Sequence, residues 1–216
     1  MHAYTQESQL DDAFLKFEDY HNAIKEREPN NAPVHCACAE LFSRISCRQS
    51  SAIGVCQSML EHAIELDGNN AKYYCALGHV FVLNGQYQSA IKKFKESSKK
   101  DSQSFVALEG MILCQLLDGL LDDAEAQIEL LGVMHGSDDV ITAEYAFLQA
   151  LLAQRKGRNM ALHLEKLEEC KKLFFSRISQ LRRNTYIRPL DELIVMDPDF
   201  MLQVWMSMRH SHVFLL

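Results

Sequence analysis

Cysteine and histidine side chains in one short stretch could bind a metal ion. His35, Cys36 and Cys38 lie within four positions of one another and combine the two ligand types that zinc favours. Residues two apart on a helix point to different sides, however, so that one ion cannot take both cysteines, and no second ligand pair follows at a zinc spacing. His210 and His212 stand near the chain end, where fraying is typical. The sequence therefore predicts no metal site and no cofactor.

Two pairs of neighbouring acids are the other candidates for chemistry. Asp122 and Asp123 form one pair, and Glu168 and Glu169 form the other. Each falls on the polar side of a helical pattern, where solvated charge explains it better than acid–base catalysis. The chain contains no glycine-rich phosphate loop, no nucleophile elbow and no His-Glu-x-x-His helix. We expect no catalytic residues and no enzymatic activity.

The composition of the chain further limits its possible functions and partners. The 216 residues carry a formal net charge of -7, which disfavours a nucleic-acid partner because neutralising phosphates requires a basic face. The seven cysteines are an odd number and mostly fall in apolar helical patterns, and no signal-peptide pattern stands at the start. We therefore expect reduced, buried cysteines. No apolar run reaches the length that a membrane span requires.

Two stretches of similar sequence recur along the chain and reveal the architecture. Residues 83–90 read LNGQYQSA and residues 117–124 read LDGLLDDA, each with a glycine between two apolar helical runs. This spacing equals the helix–turn–helix period of about 34 residues that is the signature of tetratricopeptide repeats. Such repeats stack into a solenoid with protein-binding surfaces. The sequence thus predicts an all-α solenoid of helical hairpins wound as a right-handed superhelix.

The repeat pattern divides the chain into an array and a C-terminal segment. A half unit at 5–28 is followed by units at about 31–70, 71–104, 105–137 and 138–175, and the first full unit has five extra residues in its turn. Together 1–175 form the predicted array. Residues 176–216 are predicted to be an irregular basic segment followed by an apolar helix that opens at Asp197.

Small and large side chains alternate in the unit at 71–104. Gly78 and Ala90 are small where the two helices approach, whereas the aromatic residues are large enough to pack between helices. In the next unit Ile112 takes the place of Gly78, which predicts a wider helix pair. The predicted structural repeat positions are Tyr74, Leu77, Gly78, Phe81, Gly85, Tyr87, Ala90, Phe94, Gly119 and Ala124.

Two basic clusters leave two interpretations open. One contains Lys92, Lys93, Lys95, Lys99 and Lys100; the other runs from Lys166 to Arg188. In the first interpretation, a cluster is simply a solvated outer face. In the second, it binds an acidic protein or a membrane surface. A chaperone-tail clamp is disfavoured, because the positions that would grip a carboxylate hold no basic or amide side chain. Those positions are Cys36, Glu40, Ala76, Val106 and Gly110.

In this register the chain resembles a known family. The segments at 30–32 (NNA), 41–44 (LFSR), 59–63 (MLEHA), 83–85 (LNG) and 197–200 (DPDF), together with 77–78, 107–108 and 114–116, look like the middle of the tetratricopeptide repeat protein 21 family. The match runs in order over about residues 5–205. Residues 207–216 do not look like the family's continuation, so the resemblance implies a middle segment or a short isoform.

The resemblance implies a function that the residues alone do not. The family is a large peripheral subunit of intraflagellar transport complex A. Membership would imply a non-catalytic scaffold for retrograde transport and cilium assembly, located in cytoplasm and cilium, with the other subunits of that complex as partners. The alternative is a generic cytosolic adaptor that binds peptides through its tetratricopeptide repeats.

Overall fold

Every regular element in the described part of the chain is an α-helix. The structure is a computed structural model, and it describes residues 7–45, 50–134, 143–157 and 160–183. This confirms the predicted all-α class. The helices are α1 (Glu7–Arg27), α2 (Ala32–Ile45), α3 (Ser50–Leu66), α4 (Ala71–Leu83), α5 (Tyr87–Lys100), α6 (Phe105–Asp118), α7 (Leu121–Met134), α8 (Ala143–Lys156) and α9 (Met160–Arg183).

The chain forms two compact units whose boundary lies inside α6, between Cys114 and Gln115. Unit 1 ends with the first part of α6, and unit 2 begins with the rest of that helix. The predicted division into a repeat array at 1–175 and a C-terminal segment at 176–216 stays a prediction.

In unit 1, each helix from α2 to α5 packs on the next one along the chain. The pairs α2–α3 and α4–α5 make the most extensive contacts, and α3 also packs on α4. Helix α1 lies against α3, and α2 touches α4. One apolar core runs through these helices and includes Ala39, Met59, Leu60, Leu77, Phe94 and Ala107, each fully buried.

In unit 2, α8 packs on α7 and forms its most extensive contact with α9. Small side chains allow this approach, since Ala146 and Ala150 of α8 are fully buried. An ion pair between Lys156 and Glu125 links α8 to α7. The core of this unit also contains Ala124, Ile128, Leu131, Leu167 and Cys170.

Two turns, one repeat period apart, share one backbone geometry. Gly85 and Gly119 both have positive φ, 72° and 84°. After each glycine, the next N–H donates to a carbonyl five residues earlier, from Gln86 to Phe81 and from Leu120 to Gln115. This is the glycine-terminated helix end known as the Schellman motif. The sequence repeat therefore corresponds to a repeated turn.

Asparagine side chains begin two of the helices that open a hairpin. The Oδ1 of Asn70 accepts a hydrogen bond from the Lys72 N–H at 3.1 Å, as an N-cap does. The Oδ1 of Asn31 accepts from the Val34 N–H at 3.3 Å in the same way before α2. Both caps satisfy backbone donors that the first turn of a helix leaves unpaired.

Three predicted boundaries need correction. Helix α9 continues to Arg183, so residues 176–183 are helical and not irregular; they contain neither Gly nor Pro, and Leu, Gln and Arg favour helix. The sequence also predicts a polar, serine-rich link from Cys47 to Ser51, but α3 begins at Ser50. It predicts Tyr87 at the turn with Gly85, but Tyr87 is the first residue of α5.

Several predictions fall outside the described residues. These are the basic chain at 184–196, the apolar helix predicted from Asp197, and His210 and His212. Among the helices that are described, none combines the length and apolarity needed to cross a membrane.

Candidate protein-interaction surface

Two glycines leave room for the ring of Phe94. A Cβ on Gly78 of α4 would lie 2.7 Å from Cε1 of Phe94, and a Cβ on Gly110 of α6 would lie 2.5 Å from its Cζ. Both distances are shorter than van der Waals contact, so any side chain at either position would displace the ring. Phe94 itself, from α5, is fully buried. The ring therefore packs where α4 and α6 both lack a side chain.

Other predicted positions of the repeat at 71–104 belong to the same core cluster as this ring. Leu77 and Ala90 are fully buried, Phe81 is 8% exposed, and all three belong to one core cluster with Phe94. Tyr87 is half-buried and packs against that cluster. In unit 2, Ala124 is fully buried, whereas Gly119 lies exposed at its turn.

Gly110 is the packing residue that the sequence analysis missed. The repeat period, counted from Gly78, points to Ile112, which is itself fully buried. The small residue instead stands two positions earlier and faces Phe94, a residue of the preceding hairpin. A lone glycine inside an apolar helical run is the signal that could have indicated a close approach.

Tyr74 lies at the edge of the core and not within it. Its ring is half-buried, and its hydroxyl donates to the Gly68 carbonyl at 3.2 Å. The Nζ of Lys100 lies 4.9 Å from the ring centroid, and the Nζ of Lys93 lies 6.0 Å from it. Such geometry is that of cation–π contacts. Tyr74 therefore joins the basic surface of α5 to α4.

The α5 lysine surface comprises Lys92, Lys93, Lys95, Lys99 and Lys100. All but Lys93 are exposed. Lys99 donates to the Glu96 carboxylate at 2.6 Å and lowers the pKa of that acid. The buried side of the same helix carries Ala90, Ile91, Phe94 and Ser97, so one helix presents an apolar face inward and a cationic face outward.

Three histidines from three helices form a histidine cluster, His21, His35 and His62, at the α1–α2 loop. The Nε2 of His35 donates to the Glu28 carbonyl at 3.1 Å, and the Nε2 of His62 donates to the Pro29 carbonyl at 2.8 Å. The rings of His35 and His62 meet edge-to-face with centroids 4.8 Å apart. These contacts fasten the loop to α2 and α3.

Burial disfavours the protonated form of two of these histidines. Desolvation lowers the pKa of His21 and of His35, and the nearby charge of Lys25 acts in the same direction on both. In His35, hydrogen bonding of the ring to the backbone at Glu28 and Pro29 opposes that effect in part. The Nδ1 of His35 and the Nε2 of His21 are buried without a hydrogen-bond partner.

The cysteines are packing residues. Cys36 is 1% exposed in the core, whereas Cys38 is half-buried, which agrees with their expected divergence along a helix. Burial raises the pKa of Cys36, Cys56, Cys75 and Cys170 to about 12. Their thiolates are therefore scarce at neutral pH, which makes them poor nucleophiles. Within the described ranges, no group of three or more potential ligand side chains is arranged to hold a metal ion.

The five positions that a chaperone-tail clamp would use have other structural roles or are apolar. Cys36 and Ala76 are buried in the core, and Gly110 is buried against Phe94. Glu40 accepts an ion pair from Lys72 at 3.1 Å, which ties α2 to α4. Val106 is 53% exposed but apolar. These side chains do not supply the positive donors that grip a carboxylate.

Comparison with known proteins decides the family. Residues 16–211 match the family model described as the tetratricopeptide repeat protein 21 second ARM domain. The chain belongs to the tetratricopeptide repeat protein 21 family. It is 30% identical over 201 residues to tetratricopeptide repeat protein 21B of Homo sapiens, covering 93% of this chain and 15% of that protein. To tetratricopeptide repeat protein 21A of Homo sapiens it is 29% identical over 173 residues, 78% of this chain and 13% of the relative.

This member of the family thus spans about 15% of the length of the curated relatives it matches. A solved structure supports its fold independently. The crystal structure of a thermophilic tetratricopeptide repeat protein from Thermus thermophilus matches with a TM-score of 0.55 at 17% identity, over 90% of this chain and 92% of that chain. Family and fold are both those of helical-repeat scaffolds, and the predicted tetratricopeptide-like solenoid is confirmed.

Proposed function

We propose that this chain is a non-catalytic protein-interaction scaffold in intraflagellar transport complex A, serving retrograde ciliary transport and cilium assembly in the cytoplasm and the cilium. The observation that carries the proposal is its membership of the tetratricopeptide repeat protein 21 family over residues 16–211. The function that the resemblance implies for the longer members of the family is thus proposed for this chain.

The described side chains support a scaffold more than a catalyst. Burial raises the pKa of the thiols of Cys36, Cys56, Cys75 and Cys170 to about 12. The Nε2 atoms of His35 and His62 donate to loop carbonyls. What the described residues present at the surface is charge and some apolar side chains, among them Leu130 and Val133 of α7, which are 52% and 78% exposed. Stacked hairpins with such surfaces are suited to binding other proteins.

Affinity purification from ciliated cells tests the proposal. The full chain, tagged, should recover subunits of intraflagellar transport complex A in amounts that exceed those obtained with the tag alone. A Gly78→Leu variant, in which the Phe94 packing is disrupted, should lose them. Recovery of chaperones or of a short linear peptide without transport subunits would instead support the generic peptide-binding adaptor and contradict the proposal.

A further inference from the structure

We propose that the α5 lysine surface binds a carboxylate-rich segment of a different protein. This inference goes beyond the proposed function, since it concerns one surface of unit 1 and holds whichever assembly the chain joins. The segment would lie along the exposed side of α5, with Lys92, Lys95 and Lys99 facing its acidic side chains.

The charge of α5 is out of balance with the rest of the chain. The whole chain carries a net charge of -7, yet α5 contains five lysines and a single acid, Glu96. Four lysines of other helices are paired with carboxylates, namely Lys72, Lys156, Lys166 and Lys171. In the part of the chain that the structure describes, neither Lys92 nor Lys95 makes an ion pair with a carboxylate.

The arrangement of these lysines weakens the helix that carries them. Lys92 and Lys95 are three residues apart, and Lys95 and Lys99 are four apart, so like charges stand on neighbouring turns of the same side. Such pairs of like charges destabilise a helix. A row of acidic side chains from a partner would turn this repulsion into attraction.

The lysine surface is held in place from beneath. The Oγ of Ser97, fully buried, donates to the Ala71 carbonyl at 2.8 Å and fastens α5 to the start of α4. The buried ring of Phe94 anchors the middle of the helix. Tyr74 fixes Lys93 and Lys100 at one side through its ring. The backbone of α5 therefore needs little further ordering when a partner binds.

The shape and chemistry of this surface favour a protein over a membrane. Lys92 and Lys99 are seven residues apart along the helix, about 10 Å, which matches about three residues of an extended chain. A helix that enters a membrane surface also presents apolar side chains to it. The large exposed hydrophobic side chains of the described residues include none from α5. The surface thus offers charge alone, as an acidic protein segment requires.

Fluorescence anisotropy with a labelled Glu-rich peptide tests the proposal on the full chain. The triple variant Lys92→Gln, Lys95→Gln and Lys99→Gln should bind about tenfold more weakly than the parent at low salt, because three charge pairs are lost. The triple variant Lys166→Gln, Lys171→Gln and Lys172→Gln removes the same charge from α9 and should leave the affinity unchanged. Circular dichroism and thermal unfolding establish that both variants fold.

Three results would overturn the proposal. Equal affinity for the parent and the α5 variant, or equal loss in both variants, would mean that the peptide does not recognise this surface. Binding to phosphatidylserine vesicles that depends on the α5 lysines and is not displaced by the peptide would assign the surface to a membrane. Concentration-dependent self-association in sedimentation, abolished by the α5 substitutions, would place a second copy of the chain there.

Discussion

The ring of Phe94 lies 2.7 Å from the point that a Cβ on Gly78 would occupy. The pair joins the two helices of one hairpin, because Gly78 belongs to α4 and Phe94 to α5. A side chain at position 78 could not be added without displacing the ring, which is fully buried in a close-packed core.

Replacing this glycine should therefore destabilise the protein. Gly78→Leu forces a branched side chain into the space of the ring and should lower the free energy of unfolding by about 1–3 kcal/mol. Denaturant unfolding of the full chain measures the change.

Gly54→Ala is the matched control: Gly54 is also inside a helix, but a Cβ there meets nothing within 4 Å. That substitution should stabilise by up to about 1 kcal/mol through helix propensity. A destabilisation of the same size at both positions would show that packing on Phe94 is not the cause.

The same contact predicts non-additive substitutions. Phe94→Ala should cost about 3–5 kcal/mol, because it leaves a cavity in the core. In that background, Gly78→Leu no longer meets the ring and should cost less than it does alone. A double-mutant cycle on unfolding free energies would yield a coupling of about 0.5–3 kcal/mol. Strictly additive costs would mean that the two positions do not touch in solution.

The turn glycines should resist substitution for a different reason. Gly85 and Gly119 have positive φ, where an ordinary side chain is strained by about 1–2 kcal/mol, although a Cβ at either would meet open space. Gly85→Ala and Gly119→Ala should each lower the unfolding free energy by about that amount. Gly85→Asn and Gly119→Asn should cost less, because Asn adopts this conformation more readily. Equal effects of Ala and Asn at both turns would contradict a backbone cause.

These turns also show which features could be predicted from sequence. The matched hydrogen bonds after Gly85 and Gly119 follow from a local pattern of apolar runs and glycine that recurs after one repeat period. The role of Gly110 could not be read from the repeat, because its partner Phe94 lies on another helix and its position departs from that period. The edge-to-face contact of His35 and His62 likewise joins two helices, and a periodicity within one helix carries no information about it.

The end of α9 is a local feature that the sequence analysis predicted wrongly. The basic residues after Phe175 indicated irregular chain, yet the helix continues to Arg183 because nothing in the segment breaks it. Charge composition alone was a weaker signal there than the absence of glycine and proline. Conversely, the lysines of α5 were identified correctly as a cluster, but only the structure shows which of them lie free of carboxylates and which stand over Tyr74.

Buried histidines should make the stability of the chain depend on pH. The pKa of His21 and that of His35 are lowered in the folded state from an ordinary value of 6.5, so the unfolded chain takes up protons first as the pH falls. Their contribution is fully present above pH 6.5 and decreases as the pH drops through 6.5 toward the folded pKa values. Protonation would also put charge next to Lys25 and His62, with Glu18 as the acid that partly compensates at His21. Denaturant unfolding at a series of pH values between 8 and 5, chosen to span about 1.5 units on either side of that ordinary value, measures the slope.

His35→Gln retains a donor for the Glu28 carbonyl but cannot titrate, and should therefore flatten the profile relative to the parent. An unchanged slope in that variant, with NMR titration showing an ordinary pKa for His35 in the parent, would contradict the role assigned to the histidine cluster.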